Sequence, residues 1–287
     1  MKNYSIIGGD LRIVNLAKLL AKDKNQIKCY GFENTNELKD VQNIENCITI
    51  KEALNNSDIV ISSVPLTKNG TDIYMPFSGN IVKITDLLEQ LTSQIFIAGA
   101  IPKDMLEQGN IKVIDLMQND ELTVLNTIAT AEGAISDIIL NTNFNLHGSK
   151  VLILGFGRVS KVLAKKIKAL DANVTCAARK DSDFAWMEAL GYNVTNINKL
   201  GENLNQYDII INTVPYIILD KERLKYVKHN CFLLDLASKP GGFDQEYISK
   251  NKLNYKWSLA IPGKVAPLTS AMYIKNTIDN ILKKEEV

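Results

Sequence analysis

Lys150-Val151-Leu152-Ile153-Leu154-Gly155-Phe156-Gly157-Arg158-Val159-Ser160-Lys161-Val162-Leu163-Ala164 decides the fold. A β-branched and leucine run reads as a strand. Two glycines punctuate it, and an amphipathic helical period follows. Gly155 permits a tight turn, and Gly157 lets a ligand approach the backbone at the helix N-terminus, where unpaired N–H groups favour a phosphate. The third position of the G-x-G-x-x-G pattern is Ser160, which departs from Gly or Ala but is small enough for helix to lie close on strand. Strand before, helix after and a further strand at 173–177 give the short motif its context, and dinucleotide binding is the expectation. Gly155, Phe156, Gly157, Arg158 and Val159 are the candidate cofactor contacts on this loop.

The next strand ends in Cys176-Ala177-Ala178-Arg179-Lys180-Asp181-Ser182. An NAD site ordinarily sets Asp or Glu here to accept from the ribose 2′-hydroxyl. Arg179, Lys180 and Ser182 instead suit a 2′-phosphate, so NADP is expected over NAD, with Asp181 keeping an NAD ribose open. Thr213-Val214-Pro215 closes a later strand and is expected near the nicotinamide ribose, with Ala237 and Ser238 on the loop after the strand that follows.

Outward from this stretch the chain repeats itself. Ser5-Ile6-Ile7-Gly8-Gly9-Asp10 matches Leu152 to Gly157, 147 residues on, and Asp58 to Pro65 matches Asp208 to Pro215, 150 residues on. Landmarks in one order imply two similar domains. Strands are expected at 4–7, 27–31, 58–64, 94–98, 111–115, 150–154, 173–177, 207–213, 230–235 and 254–258, with helices such as 10–22, 158–170 and 182–190 between them. Strands alternating with helices make parallel sheets from βαβ units. The expected fold is α/β: two Rossmann-like parallel-sheet domains facing a central cleft, linked by a long helix over about 118–142. The expected division is an N-terminal domain over 1–120, completed by the C-terminal helix 267–287, a crossing helix over 121–145 and a dinucleotide domain over 146–266.

The first half holds Asp10 where the second has Gly157, and a carboxylate there repels a pyrophosphate. Asp10 reads equally as a helix cap or as a functional carboxylate. Arg12 is a candidate for pairing with a substrate carboxylate, and Ser63 stands at the end of a strand in the same half. Thr130-Ala131-Glu132-Gly133-Ala134 puts Glu132 among small residues, as a substrate or proton-handling group or a capping partner, with Thr130 beside it. Lys239 and Lys264, the latter in Pro262-Gly263-Lys264-Val265-Ala266-Pro267, are further candidate cations for substrate. His147 and His229 both read as boundary residues, so no histidine base pairs with a carboxylate.

Lys and Arg total 33 against 32 Asp and Glu, a net charge of +1 that favours neither nucleic acid nor an anionic membrane. Cys29, Cys47, Cys176 and Cys231 lack metal-pair spacing, so no metal site is expected and the thiols read as reduced and buried. Met1-Lys2-Asn3-Tyr4 runs straight into a strand, without a signal peptide, and no apolar run approaches the ~20 residues of a membrane span.

Gly8-Gly9-Asp10-x-Arg12, Thr130 to Ala134, Gly155-x-Gly157-Arg158, Ala178-Arg179, Leu236-Ala237-Ser238-Lys239-Pro240-Gly241-Gly242 and Pro262 to Pro267 together resemble the family of dipicolinate synthase A subunits over nearly the whole chain. That family is similar in fold to D-2-hydroxy-acid dehydrogenases. The resemblance implies NADP-dependent oxidation of dihydrodipicolinate to dipicolinate during sporulation, in the mother-cell cytoplasm of a spore-forming bacterium, beside a flavoprotein-like B subunit. It also implies cations for a dicarboxylate, for which Arg12, Lys239 and Lys264 are the candidates, and a proton acceptor, for which Glu132 and Asp10 are. A homo-oligomer is compatible with it. The alternatives are a D-2-hydroxy-acid or amino-acid dehydrogenase, against which the missing histidine base counts, and a non-catalytic, regulatory NADP-binding protein.

Overall fold

The computed structural model describes residues 2–106 and 111–284. The chain divides into two compact units, Met1–Asn126 with Ala266–Val287, and Thr127–Val265. The unit boundary falls inside the long helix expected to cross between domains.

The first unit holds β1 (Asn3–Ile7), β2 (Gln26–Tyr30), β3 (Ile44–Asn46), β4 (Ile59–Ser62), β5 (Ile95–Ala98) and β6 (Lys112–Asp115). They form one sheet in the order β3-β2-β1-β4-β5-β6, parallel throughout. Its helices are α1 (Leu11–Lys22), α2 (Ile50–Leu54) and α3 (Ile84–Leu88). Further on, α4 (Asp120–Asn141) begins in this unit and ends in the other.

The second unit repeats the plan. Strands β7 (Lys150–Leu154), β8 (Asn173–Ala178), β9 (Asn193–Asn196), β10 (Ile209–Asn212), β11 (Phe232–Asp235) and β12 (Tyr255–Trp257) lie in the order β12-β11-β10-β7-β8-β9, again all parallel. Its helices are α5 (Arg158–Lys168), α6 (Asp181–Ala189), α7 (Lys221–Leu224), α8 (Gln245–Asn251) and α9 (Ile261–Val265). The last helix, α10 (Pro267–Lys284), returns to the first unit. Residues 285–287 of the expected C-terminal helix lie outside the described residues. Both sheets have the doubly wound order in which chain direction reverses beside the first strand, and ligands of such sheets bind outside the carboxyl ends at that point.

Alternation along each strand builds the cores. In β7, Val151 and Ile153 face one way and Leu152 and Leu154 the other, all fully buried. The first face is covered by Leu163, Ala164 and Ile167 of α5 and by Ala131, Ala134 and Ile138 of α4. In the first unit, Ala271, Ile274, Ile278 and Leu282 recur at helical spacing on α10 and pack on Ile13, Leu16 and Leu20 of α1. Each such fully buried Leu or Ile stabilises by roughly 1.5–3 kcal/mol, enough to fix α10 on this unit.

One expectation about local structure changes. Lys264 sits in the short helix α9 and not in a Pro/Gly loop. Gly133 is a packing glycine: a Cβ there would run into Ile261 and lie 2.9 Å from Val265, so its bareness lets α9 approach α4.

Candidate functional site

The loop after β7 has two glycines with different physical reasons. Gly155 takes φ +96°, and its amide donates to Ala177 O on β8 at 2.8 Å. A Cβ here would lie 2.7 Å from Val214 Cγ2 and 2.8 Å from Thr213 Oγ1, so conformation and space both require glycine. Gly157 has an ordinary φ of −84° and caps α5 without any side-chain cap. A Cβ added there would meet nothing within 4 Å. The first helical bond runs from Lys161 N to Gly157 O, leaving the first turn's amides outside the ladder at the positive end of the helix. An open cradle in front of an uncapped helix start is the place for a phosphate. The residues present therefore fit a dinucleotide.

The first unit provides an internal control. Gly8 N donates to Tyr30 O at 2.9 Å, as Gly155 N does to Ala177 O. The likeness stops there. Gly9 N donates to Tyr74 O at 3.0 Å, and Met75 packs so tightly on Gly8 that a Cβ would collide with it. Asp10 caps α1 by accepting from Arg12 N at 3.0 Å. The cradle that stands open in the second unit is filled here by a carboxylate and by the loop carrying Tyr74 and Met75.

Arg12 is buried, not poised on a surface. Its Nε lies 3.0 Å from Asp10 Oδ1, its Nη2 lies 2.8 Å from Asp10 Oδ2, and Nη2 also donates to Val64 O. Its side chain is 6% exposed. This corrects its reading as a substrate cation: the guanidinium neutralises the capping carboxylate and holds the 64–66 turn. Asp10, spent on the same pair, is corrected as a catalytic candidate. Ser63 is also corrected, since it is fully buried and its hydroxyl donates to Leu66 O at 2.9 Å.

Glu132 is corrected too. Ala131 and Ala134 face the core, but Glu132 faces outward and pairs with Lys166 Nζ at 2.9 Å, in the last turn of α5. It is therefore displaced from the glycine loop by the length of α5. Thr130 is half-buried on the same helix. His147 pairs with Asp171 at 3.5 Å on the surface, and His229 is exposed. Among the described residues no group of three His, Cys, Asp or Glu is arranged to hold a metal.

The remaining cofactor candidates do gather at the carboxyl edge of β7, β8, β10 and β11. Arg179 and Lys180 are exposed directly after β8, and Ser182 is exposed in the first turn of α6. Arg158 is exposed and Val159 half-buried in the first turn of α5. Phe156 is corrected in part: its ring is buried and meets Tyr192 edge-on at 6.3 Å, so only its backbone is available. After β10, Thr213 Oγ1 donates to Leu154 O at 2.8 Å, Val214 is half-buried and Pro215 is exposed. After β11, Ala237 is buried while Ser238 and Lys239 are exposed.

Beneath these loops lies a pair that sequence reading missed. Asn212 and Asp235 end β10 and β11, side by side in register and fully buried. Asn212 Nδ2 donates to Asp235 Oδ1 at 2.8 Å, and Asp235 also accepts from Ala237 N and Gly242 N. Burial pushes the Asp235 carboxyl above the usual range, against the pull of the Asn212, Gly242 and Ala237 donors. The available signal was a polar residue closing each of two apolar runs.

The cysteines carry no disulfide. Burial pushes the Cys176 and Cys231 thiols up to about 12, so they stay protonated at neutral pH. Among the described residues, no helix is long and apolar enough to cross a membrane.

Two family descriptions match different parts of the chain. Residues 3–117 match the family described as the N-terminal domain of the dipicolinate synthase A subunit. Residues 130–239 match the NAD binding domain of D-isomer specific 2-hydroxyacid dehydrogenases. The dipicolinate synthase A subunit of Bacillus subtilis is 29% identical over 97% of this chain and 95% of its own length. The crystal structure of the dipicolinate synthase A subunit from Bacillus halodurans superposes with a TM-score of 0.89 at 28% identity, covering 98% of this chain and 97% of that one. The crystal structure of the Bacillus subtilis protein gives 0.86, covering 99% and 96%. An L-alanine dehydrogenase at 13% identity shares the fold, with a TM-score of 0.66 over 99% of this chain and 90% of that one. The chain thus resembles the dipicolinate synthase A subunits along its whole length and carries an NAD(P)-binding domain of dehydrogenase type.

Proposed function

We propose, from that full-length resemblance, that the chain is the NADP-dependent oxidoreductase component that converts dihydrodipicolinate to dipicolinate. The observation that carries the cofactor half is the contrast between the two glycine loops: Gly157 opens an uncapped helix start, where Asp10 closes the other. NADP, when bound, would supply the hydride acceptor, so that the dihydropyridine ring could give up one hydride and one proton and become aromatic. Aromatisation is the driving force, which fits a site without a histidine base at the sheet edge.

The chain's own groups have positional tasks. The amides at the start of α5 take the pyrophosphate, with Gly157 leaving room for it. Arg179, Lys180 and Ser182 take the 2′-phosphate; Arg179 and Lys180 have no ion pair or hydrogen bond to another side chain among the described residues. Thr213, Val214, Pro215, Ala237 and Ser238 line the nicotinamide side, and the exposed Lys239 on the same loop offers a cation to a substrate carboxylate. Lys264 is a second such cation, and Thr130 a hydroxyl partner. Domain bounds of 1–120 plus 267–287, and 146–266, joined by 121–145, belong to this reading. So do partnership with a flavoprotein-like B subunit, a role in sporulation and the mother-cell cytoplasm as location.

The test mixes the purified chain with the B subunit, NADP and freshly made dihydrodipicolinate synthase product, and follows the ultraviolet absorbance of dipicolinate. NADP-dependent appearance of dipicolinate supports the proposal. Bound NADP without product would overturn the reaction and leave the hydroxy-acid and regulatory readings.

A further inference from the structure

The Asn212–Asp235 pair reaches both loops on one side of β7. Asn212 Oδ1 accepts from Val214 N at 3.1 Å, and Asn212 Nδ2 donates to Val214 O at 2.9 Å. Asp235 Oδ1 accepts from Ala237 N at 3.1 Å, and Oδ2 accepts from Gly242 N at 2.7 Å. One buried contact therefore ties the start of the loop after β10 to both ends of the loop after β11. The backbone leaves no slack. Gly241 takes φ +82° with a Cβ position 2.6 Å from Asp235 Oδ2, and a Cβ on Gly242 would collide with Asn212.

The sheet order gives this pair a direction. With β8 and β9 on one side of β7 and β10 to β12 on the other, a dinucleotide astride the carboxyl end of β7 sends its adenosine half over β8 and its nicotinamide half over β10 and β11. We propose that Asn212 and Asp235 are positioning residues for the nicotinamide half of the cofactor site, locking Thr213–Pro215 and Leu236–Gly242 in one register. The proposal rests on the dinucleotide reading above. Neither side chain touches the cofactor, because both are fully buried.

The hydrogen-bonding sense of Asp235 is what the loops require. Asp235 accepts three donors and offers none, so an amide at this position turns an NH₂ toward an N–H in either orientation. The defect from Asp235→Asn falls on the loops after β10 and β11, and the loop after β8 shares none of these bonds.

The experiment titrates the unmodified chain and Asp235→Asn with NADP and with adenosine 2′,5′-bisphosphate, which occupies only the adenosine side. The expected result is a loss of about tenfold or more in NADP affinity with the bisphosphate held within about twofold. Retained bisphosphate binding also certifies that the variant is folded. Should Asp235→Asn fail to fold, Asn212→Ala keeps Asp235 and its two backbone bonds and is read in the same way. Equal losses for both ligands, or unchanged NADP affinity, would overturn the positioning role. An unmodified chain that binds neither ligand would overturn the NADP reading on which the test rests, which separates the two failures.

Discussion

Ser160 Oγ and Thr213 Oγ1 stand 2.7 Å apart, joining the first turn of α5 to the loop after β10. Thr213 gives its one hydroxyl proton to Leu154 O, so Ser160 is the donor to Thr213. The position that departs from the glycine pattern thus keeps the small size the pattern needs and adds a bond. Ser160→Ala should cost about 1 kcal/mol in denaturant unfolding, because Thr213 keeps its bond to Leu154. An unchanged midpoint would mean that the pair contributes nothing.

Arg12→Ala leaves Asp10 mostly buried without its counter-charge. The expected loss is about 3–5 kcal/mol of stability, as for a buried pair broken on one side. NADP affinity should stay at its original value. Thermal melts and calorimetry on one preparation check both. A stable variant with a raised substrate KM would restore Arg12 to the substrate.

Arg179→Asp should weaken NADP far more than NAD, because the new carboxylate repels a 2′-phosphate and accepts from a 2′-hydroxyl. Calorimetry with both cofactors decides it. Equal loss for the two would remove the 2′-phosphate from this loop.

Asp208 begins the β10 landmark and accepts from Lys150 N at 2.7 Å and from Lys228 Nζ at 2.5 Å. Burial raises its carboxyl, but the bonds from Lys228 and Lys150 outweigh it and hold it below the ordinary 3.8. A lowered folded value contributes stability that is present above the unfolded pKa and lost as pH falls through the folded one. Asp208→Asn should therefore lower Tm at neutral pH. The gap to the unmodified chain should close as the pH drops below 3.8. A gap independent of pH would contradict the ionic origin.

All ten strands expected from apolar runs exist, the edge strands β6 and β12 among them, because Val113 and Ile114 in one and Tyr255 and Trp257 in the other supply the apolar signal. The two missed are β3, Ile44-Glu45-Asn46, and β9, Asn193-Val194-Thr195-Asn196. Both are short, polar edge strands at the same place in their sheets, and pairing with β2 or β8 makes them strands. The glycine loop was legible because its chemistry is local. The Asn212–Asp235 pair was not, since the chain order does not say that Ile209-Ile210-Ile211-Asn212 and Phe232-Leu233-Leu234-Asp235 lie in register. Glu132 misled for the reverse reason. Its small neighbours serve helix packing, and the charge between them faces outward to Lys166.

Gly157→Asp tests the central claim most directly, by building into the second unit the carboxylate that closes the first. A Cβ there meets nothing, the backbone φ is ordinary, and Asp is a favoured helix cap, so Tm should hold or rise. Calorimetric titration should then show NADP binding to the unmodified chain and none to the variant. NADP bound equally by both would contradict the account, because the pyrophosphate would not then lie on the start of α5.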